Sequence, residues 1–475
     1  MKAGELPDAT ITALGATSFC LGNNVNLSAI NGNTWIGKGL MSSGRVGASA
    51  FSIGNNGYIG LGNNGTFQKD FWEYNPVTNI FTQKADFAGI ERSSAISFSI
   101  GAFGYIGTGQ TFFNTVLNDF WEYNPVTNTW LQKTSLPSSA RYSATGFSIG
   151  IKGYICSGLD NINSTNPIPD FWEYDQVTNT WQQKASHPFP RQEAVGFSIG
   201  TKGYLGTGSL GSIDFWEYNP ATDNWTQKAN VGGPGRYSAS GFSIGNKGYI
   251  GTGLDFSATK LNDFWEYNSL ADTWTRKADV STLPCFEAVG FSIGNKGYIA
   301  TGFNNLMSNE LSEYTPDYMY SWSNGPATQI INTDSAGSYT LQVTNQLGCT
   351  ATSIPTVVTV NTINTWAGGG NSFWDIASNW SCGIVPNHPK VDVVINNGAV
   401  PMPQLTSSVL VRSLALNGSA TVSIGSNTLT INKNITGTGN LKGSSVSGLV
   451  LKGAAGTVNF ASGFNSLNEL LLTDT

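Results

Sequence analysis

The chain has 475 residues, of which 11% are charged, and its formal net charge at pH 7 is -6. This length suits two to four domains, and the weak charge without a Lys/Arg run excludes the electrostatic attraction on which nucleic-acid binding depends. The 57 glycines and 14 tryptophans, among abundant Asn, Ser and Thr, favour turn-rich β-structure with an uncharged polar surface.

No apolar stretch reaches the ~18 to 20 residues that cross a bilayer, so membrane insertion is not expected. Met1 to Asp8 lacks the apolar core of a signal peptide, so an exported protein would be represented here by a mature or excised fragment. The five cysteines contain no CxxC pair. The sequence therefore predicts no zinc site and no cofactor.

The N-terminal segment from Ala9 to Leu27 alternates apolar and polar residues around Phe19-Cys20 and predicts short strands. Beyond it, the tetrapeptide Phe-Ser-Ile-Gly recurs with a period of about 45 to 50 residues, which indicates a propeller or a solenoid. Its six copies begin at Phe51, Phe98, Phe147, Phe197, Phe242 and Phe291.

Each repeat contains four predicted strands. The second follows the pattern of Gly104 to Gly109, the third reads Asp-Phe-Trp-Glu-Tyr, and the fourth, after an Asn-Pro-Val-Thr-Asn turn, reads Asn-Thr-Trp-x-x-Lys. The last repeat has a degenerate third strand, Glu310 to Tyr314, and no fourth strand. Residues 33–38 match the missing strand, so we expect the N-terminal strand to close the ring and remove its exposed edge.

This order of segments resembles the kelch repeat, in which a glycine pair follows strand two, a tyrosine lies in strand three and a tryptophan in strand four. The resemblance implies a six-bladed kelch-type β-propeller at residues 33–317. The family's Gly-Gly is Gly-Thr-Gly here, or a variant such as Cys156-Ser157-Gly158, which alters a loop but not the strand assignment. We expect the aromatic residues of strand four to pack between blades. They are Phe81, Trp130, Trp181, Trp225 and Trp274.

The segments that flank the propeller, residues 1–32 and 318–361, together resemble one immunoglobulin-like or PKD-like module of bacterial surface proteins. The matching steps are Phe19-Cys20, Tyr320 to Gly325 and Gly348-Cys349. The resemblance implies a sandwich with the propeller inserted in one of its loops, and a disulfide between Cys20 and Cys349. The alternative is two unrelated segments that flank the propeller and carry free thiols.

Residues 362–475 contain short alternating strands, such as Ser408 to Leu416 and Thr428 to Ile431, and predict a partial β-solenoid or a β-sandwich. The pattern still runs at Leu470 to Leu472, which predicts that the chain is part of a larger polypeptide. In composition the region resembles the repetitive passenger regions of secreted adhesins. The fold class expected for the whole chain is all-β.

An arginine precedes most Phe-Ser-Ile-Gly copies by six residues, on the blade edge that also carries the variable loops. The kelch resemblance places strand one innermost, so these arginines would ring the channel mouth and hold a carboxylate or sulfate through forked hydrogen bonds. Aromatic residues on the variable loops, Phe112, Phe113 and Phe256, would add apolar surface. The alternative is that the arginines pair with Glu193, Glu287 or loop carbonyls and tie the blades together. The arginines are Arg45, Arg92, Arg141, Arg191 and Arg236, with Cys285 in the sixth repeat.

The chain has two histidines, and His187 is the one in the propeller, which argues against a His-based triad or metal site. We therefore predict a non-catalytic binding or adhesion module of a secreted or cell-surface bacterial protein, with a glycan or an extracellular protein as its partner. Two alternatives remain. Some six-bladed kelch proteins are sugar mutarotases or epimerases, and the same arginines with Glu193 and Glu287 would supply their groups. The other alternative is a structural spacer.

Overall fold

The computed structural model describes residues 6–30, 32–209, 211–280, 284–453 and 456–473. Within these ranges the chain is built of β-strands, with one 3-10 turn at Ala377–Asn379 and no α-helix, so the all-β prediction is confirmed. No helix in the described ranges is long and apolar enough to cross a membrane. The chain divides into two compact units, residues 1–8, 31–319 and 343–351, and residues 9–30, 320–342 and 352–475.

The first unit contains six antiparallel four-stranded sheets, which are the blades of a propeller. Four strands precede the first complete blade: β1 (Ile11–Ala13), β2 (Ser18–Cys20), β3 (Val25–Ala29) and β4 (Thr34–Gly37). Blade one contains β5 (Ser49–Ile53), β6 (Asn56–Gly60), β7 (Phe71–Asn75) and β8 (Ile80–Gln83). Blade two contains β9 (Ile96–Ile100), β10 (Phe103–Gly107), β11 (Phe120–Asn124) and β12 (Thr129–Lys133).

The same order continues along the chain. Blade three contains β13 (Thr145–Ile149), β14 (Lys152–Cys156), β15 (Phe171–Asp175) and β16 (Thr180–Lys184). Blade four contains β17 (Val195–Ile199), β18 (Lys202–Gly206), β19 (Phe215–Asn219) and β20 (Asn224–Lys228). Blade five contains β21 (Ser240–Ile244), β22 (Lys247–Gly251), β23 (Phe264–Asn268) and β24 (Thr273–Lys277). Blade six contains β25 (Val289–Ile293), β26 (Lys296–Ala300) and β27 (Leu311–Thr315).

The sixth blade takes its fourth strand from the start of the chain. Strand β4 pairs antiparallel with β27, with Trp35 opposite Tyr314. The first strands of neighbouring blades lie side by side around the axis, β25 next to β5 included. Hydrogen bonds between β4 and β27 thus close the ring. They also pair the edge that β27 would otherwise leave open in the last blade.

The repeated Phe and Gly residues lock successive blades together. The first-strand Phe51 of blade one lies against Gly104 of blade two, where an added Cβ atom would come within 2.1 Å of the Phe51 ring. The same contact joins Phe291 of blade six to Gly57 of blade one, with an added Cβ 2.5 Å from the ring. The glycine that opens strand two is therefore required by close approach of the neighbouring blade.

The fourth-strand aromatic residues pack between blades as predicted. Trp130 of blade two lies 5.0 Å from the ring of Phe71 in blade one, in an edge-on arrangement. Its indole N–H donates to the carbonyl oxygen of Ala85 at the end of blade one, at 3.2 Å. The equivalent tryptophans of blades three to six make the same bond to the preceding blade. Blade one has Phe81 at this position, which has no N–H to donate.

The second unit begins with strands from both sides of the propeller. The strands after the ring are β28 (Met319–Trp322), β29 (Ile330–Thr333), β30 (Gly337–Tyr339), β31 (Leu341–Thr344), β32 (Thr350–Thr352) and β33 (Thr356–Asn361), and residues 343–351, which include parts of β31 and β32, fall in the first unit. They form three small sheets, ordered β1-β3-β29, β2-β33-β30 and β28-β31-β32. Residues that precede the propeller therefore share two sheets with residues that follow it.

A β-solenoid follows. Its strands are β34 (Ile363–Thr365), β35 (His388–Ile395), β36 (Val409–Leu416), β37 (Thr421–Ser423), β38 (Thr428–Gly437), β39 (Asn440–Lys442), β40 (Gly448–Lys452) and β41 (Glu469–Thr473). The main sheet is parallel in the order β34-β35-β36-β38-β40-β41, and Leu429, Leu449 and Leu470 stand at equivalent positions on successive rungs. Three buried tryptophans, Trp366, Trp374 and Trp380, pack edge to face on one another in its core.

The disulfide differs from the expected one. Cys20 is bonded to Cys382, with a Cα–Cα distance of 5.7 Å, and Cys349 takes part in no disulfide in the described part of the chain. Strand β2 places Cys20 opposite Asn361, at the end of β33, and the chain leads from there into β34, beside which Cys382 lies. Cys349 instead sits in a turn where its N–H bonds the side chain of Asn345, in the 343–351 segment of the first unit.

Candidate functional site

The candidate site lies on the side of the propeller where strand one of each blade begins and strand two ends. We call this side the loop face. It carries the long connections between strands two and three, for example residues 61–70 in blade one and residues 108–119 in blade two. These connections differ most in sequence from blade to blade, so any specific recognition would be expected here.

The predicted arginines are buried beneath the loop face. Arg45 forms a two-pronged contact with Asp70 of the same blade, at 2.6 and 2.8 Å, and donates to the carbonyl oxygen of Leu61 at 3.0 Å. The Trp72 indole donates to the same carboxylate at 2.7 Å. The five arginines are at most 3% exposed. The other pairs are Arg92–Asp119, Arg141–Asp170, Arg191–Asp214 and Arg236–Asp263.

These contacts correct the expectation that Arg45, Arg92, Arg141, Arg191 and Arg236 line the channel mouth. Each guanidinium is used within its own blade, where it joins the start of strand one to the start of strand three, so a ligand on the surface cannot reach it. Of the alternative partners considered, the loop carbonyls are found and the glutamates are not. Burial opposes ionisation of Asp70, but the hydrogen bonds from Arg45 and Trp72 prevail and lower its pKa.

The sixth blade lacks this arrangement altogether. Cys285 stands in the arginine position, Glu310 in the aspartate position and Ser312 in the tryptophan position. Glu310 is exposed, whereas the aspartates of the other blades are largely covered. Loss of all three groups together is physically reasonable, because a buried carboxylate or guanidinium without its partner is strongly destabilising.

The predicted aromatic residues are exposed on the loop face. Phe112 and Phe113 of blade two are 62% and 85% exposed, and Phe256 of blade five is 80% exposed. Phe112 also meets Phe67 of blade one, with ring centroids 6.1 Å apart. Phe67, Phe112 and Phe113 thus form a small aromatic cluster, which we call the aromatic rim, while Phe256 stands apart on the opposite side of the ring.

A cavity of about 310 Å³ opens at the centre of the loop face and is lined by residues of all six blades. Its rim is formed by the residue two places after each arginine position. Each of these residues has a positive φ, between 51° and 57°. Each donates its backbone N–H to the carbonyl of its counterpart in the preceding blade, at 2.9 to 3.3 Å, and the sixth bond returns to the first blade. This channel ring is Gly47, Ser94, Ser143, Glu193, Ser238 and Glu287.

Two carboxylates interrupt the small residues of the channel ring. Glu193 and Glu287 flank Ser238, whose hydroxyl donates to Glu193 at 2.6 Å. Burial raises the pKa of Glu193 and raises that of Glu287 to about 7, with the charge of Glu193 adding to the latter shift. Among the described residues no cation forms an ion pair with either group. Near neutral pH Glu287 is therefore close to half protonated.

The sequence singled out Glu193 and Glu287, as partners of the arginines and as groups of the mutarotase or epimerase alternative, but it missed Ser238 and the channel ring. The available signal was position: two residues after each arginine, four repeats have Gly or Ser and two have Glu. Gln110 and Tyr142 also line the cavity. Burial, and next the charge of Glu193, raise the pKa of Tyr142.

Metal chemistry finds no support in the described ranges, where no cluster of three or more His, Cys, Asp or Glu side chains is arranged to hold an ion. His187 is buried between Trp216 and Trp225 and does not line the cavity. No protein-family model matches the chain, and a search of curated proteins finds no significant relative. The site must therefore be interpreted from its own chemistry.

Proposed function

We propose that this chain is a non-catalytic binding or adhesion module that recognises a glycan at the loop face, with one sugar residue in the mouth of the channel. The observation that carries the proposal is the pair Glu193 and Glu287. At six equivalent positions four blades keep Gly or Ser, and two place carboxylates in a half-buried cavity, where no described residue is their cationic partner. Such a placement costs folding free energy, so it points to a ligand and not to the repeat architecture.

The chemistry of the cavity suits hydroxyl groups. Ionised carboxylates accept hydrogen bonds, and the hydroxyls of Ser94, Ser143 and Tyr142 with the Gln110 amide both donate and accept. An acidic ligand fits poorly, because the carboxylates repel it and the arginines are not accessible. This chemistry disfavours the acidic protein segments that kelch domains, which the repeat resembles, often bind at this face.

The aromatic rim gives a glycan a second contact. Gln110 lines the cavity, and the same loop carries Phe112 and Phe113 two and three residues further along. The apolar face of a sugar ring packs well on an exposed phenyl ring. A glycan with one residue in the channel and another on the aromatic rim would thus use both features, while Phe256 lies too far round the ring to join them.

Placement of the protein outside the cell, as a secreted or surface protein, is part of the proposal. The Cys20–Cys382 disulfide favours an oxidising compartment, since such bonds are rare in reducing cytosol. The low proportion of charged residues and the solenoid that follows the propeller are in keeping with this. A glycan is also a partner that an extracellular module would encounter.

A second candidate function is sugar mutarotation or epimerisation. It is favoured by one observation, the raised pKa of Glu287 beside Glu193, because two carboxylates with different proton affinities can act as acid and base. The arginines that this alternative would also use are buried in their blades. The binding function needs no catalytic group and requires fewer assumptions about the cavity.

The test is a glycan array probed with the purified chain at neutral pH. We expect selective binding that the double variant E193Q/E287Q weakens at least tenfold, since it replaces both carboxyl groups with neutral amides, which accept hydrogen bonds more weakly than a carboxylate does. The matched control is E310Q, which changes an exposed glutamate on the same face and should bind as the wild type does. Retention of full affinity by the double variant would rule out the channel mouth as the site. Accelerated interconversion of sugar anomers or epimers, followed by NMR, would identify the enzyme instead.

A further inference from the structure

The Cys20–Cys382 disulfide closes a covalent loop that contains every blade of the propeller. The two cysteines are 362 residues apart in sequence, and all blade strands from β4 to β27 lie between them. Both cysteines belong to the second unit, together with the solenoid. A path along covalent bonds can therefore run from the residues before Cys20 to the solenoid without passing through any blade.

The N-terminal end of this path is held by a strand pair that resists pulling. Strand β2 lies parallel to β33, with Ser18 opposite Thr359 and Cys20 opposite Asn361, and the Leu21 N–H donates to the Asn361 carbonyl at 2.9 Å. A pull on the start of β2 against the end of β33 loads these hydrogen bonds in shear, so that they must break together. The pair is only three residues long, however, and the disulfide is the bond that does not yield.

The solenoid end of the path is equally well anchored. Cys382 comes two residues after Trp380, which packs on Trp366 and Trp374. The preceding Asn379 is fully buried, and its side-chain amide donates to the Phe373 carbonyl at 2.7 Å and accepts from Gly369 N–H at 2.8 Å. Force that arrives at Cys382 therefore enters a densely packed part of the solenoid and not a loose loop.

We infer that the disulfide carries tension past the propeller. When the residues before Cys20 and the solenoid are pulled apart, the load passes through the Cys20–Cys382 bond. The blades then carry none of this load. The channel ring, which depends on six single backbone hydrogen bonds between blades, then keeps its geometry while the chain is under tension. The inference rests on the covalent connectivity and holds whether or not the loop face binds a glycan.

Single-molecule force extension on the full chain tests the inference, with peptide tags at the two ends as handles. In the oxidised protein we expect no release of the residues between the two cysteines. The double variant C20S/C382S, which no longer holds the loop closed, should release about 1,200 to 1,300 Å of additional contour length as the blades unfold. Reduction of the wild type should give the same added length, and C349S, the matched cysteine control, should behave as the oxidised wild type does.

A second pulling geometry completes the experiment. With one handle in the exposed loop at Gly65-Thr66 and the other at the C-terminal end, the load in the reduced protein must pass through the blades, which should unfold. In the oxidised protein the load should take the shorter covalent arm from Gly65 back to Cys20 and through the disulfide, so that only about 150 to 160 Å is released. Full extension of the oxidised wild type between its ends would overturn the inference. So would a C20S/C382S protein that stays short while the internal handle unfolds the blades, because β2 and β33 would then do the shielding. Blades that resist the internal handle in the reduced protein would show that they need no protection, which would also overturn it.

Discussion

His187 makes a sharp prediction about stability in acid. It occupies an interblade position that other repeats fill with apolar residues such as Phe87 and Leu136, and it is 2% exposed. Burial, with Arg191 adding to the effect, lowers its pKa from 6.5 to about 4. Its Nδ1 meets the Phe189 backbone, but its Nε2 has no partner among the described residues. Between pH 4 and 6.5 the folded protein therefore keeps this imidazole neutral, whereas a histidine in water would be protonated.

The direction in which stability changes with pH follows from proton binding to the folded and unfolded chains. Between pH 6.5 and 4 the unfolded chain binds a proton at this histidine and the folded chain does not, so stability is fully present above 6.5 and is lost as the pH falls towards 4. From pH 7 to pH 5 the loss is about 2 kcal/mol, because each pH unit below 6.5 costs ~1.4 kcal/mol. The variant H187L, which copies the residue at Leu136, should remove this acid sensitivity.

Glu287 acts in the opposite direction. Its pKa is raised from 4.5 to about 7, so the folded state binds more protons in that window, and stability is present at acid pH and lost as the pH rises through 7. Its contribution from pH 7 to 5 is a gain of about 2 kcal/mol, which offsets the loss at His187. H187L should therefore become more stable on acidification from pH 7 to 5, whereas E287Q should become less stable.

The measurement is guanidinium unfolding of wild type, H187L and E287Q at pH 5, 6 and 7, followed by tryptophan fluorescence. Because the chain has only two histidines, NMR of ¹⁵N-labelled histidine in an H388Q background reports His187 directly. A His187 titration midpoint near 6.5, or parallel pH dependences in the two variants, would refute the reasoning. The first result would mean that water reaches the imidazole of His187. The second would mean that Glu287 is ionised like an exposed carboxyl, or that His187 is protonated like an exposed imidazole.

Two further predictions concern the links within and between blades. R191L leaves Asp214 without its partner and should lower the free energy of unfolding by about 3 to 5 kcal/mol in guanidinium unfolding. The double variant R191L/D214N should recover part of that loss. A double variant whose loss equals the sum of the losses of R191L and D214N would contradict the coupling. F81W restores the indole that the other blades have, and its N–H should reach the Gly39 carbonyl of blade six, with a gain of about 1 kcal/mol in the same assay. The Gly39 N–H already bonds the Asn79 side chain at 2.8 Å, which fixes the approach of the two blades, so an unchanged or lowered midpoint would show that this junction has no room for the larger ring.

Much of the fold could be predicted because the same sequence pattern, with the same packing requirements, recurs six times. The four strands of each blade, the interblade aromatics and the strand that completes the sixth blade all follow from spacing that recurs, and Trp35 on β4 meets Tyr314 on β27 as the missing strand required. Single events were harder. Cys20 pairs with Cys382 because β33 runs on into the solenoid, and nothing repeated in the sequence marks that path.

The structural role of the arginines was not predicted, for a different reason. Their regularity is visible, but their partner, the aspartate that opens strand three, lies 23 to 29 residues further along and reads equally well as part of a strand motif. The sequence does contain the missing clue in its last repeat. There the arginine, the aspartate and the tryptophan are all replaced, and three positions that change together are most simply explained by contact among them.

Departures from the repeat therefore fall into two kinds, and the difference bears on function. In blade six, Cys285, Glu310 and Ser312 change together, leave no buried charge behind and need no ligand to explain them. Glu193 and Glu287 change singly, each adds a carboxylate to the channel ring, and no compensating cation accompanies them in the described residues. A repeat protein can lose a structural triad without consequence for its surface, but it gains two unpaired carboxylates in one cavity at a cost to stability. That cost is best explained by what the cavity binds, and this is why the channel mouth, and not the ring of arginines, is where a ligand should be sought.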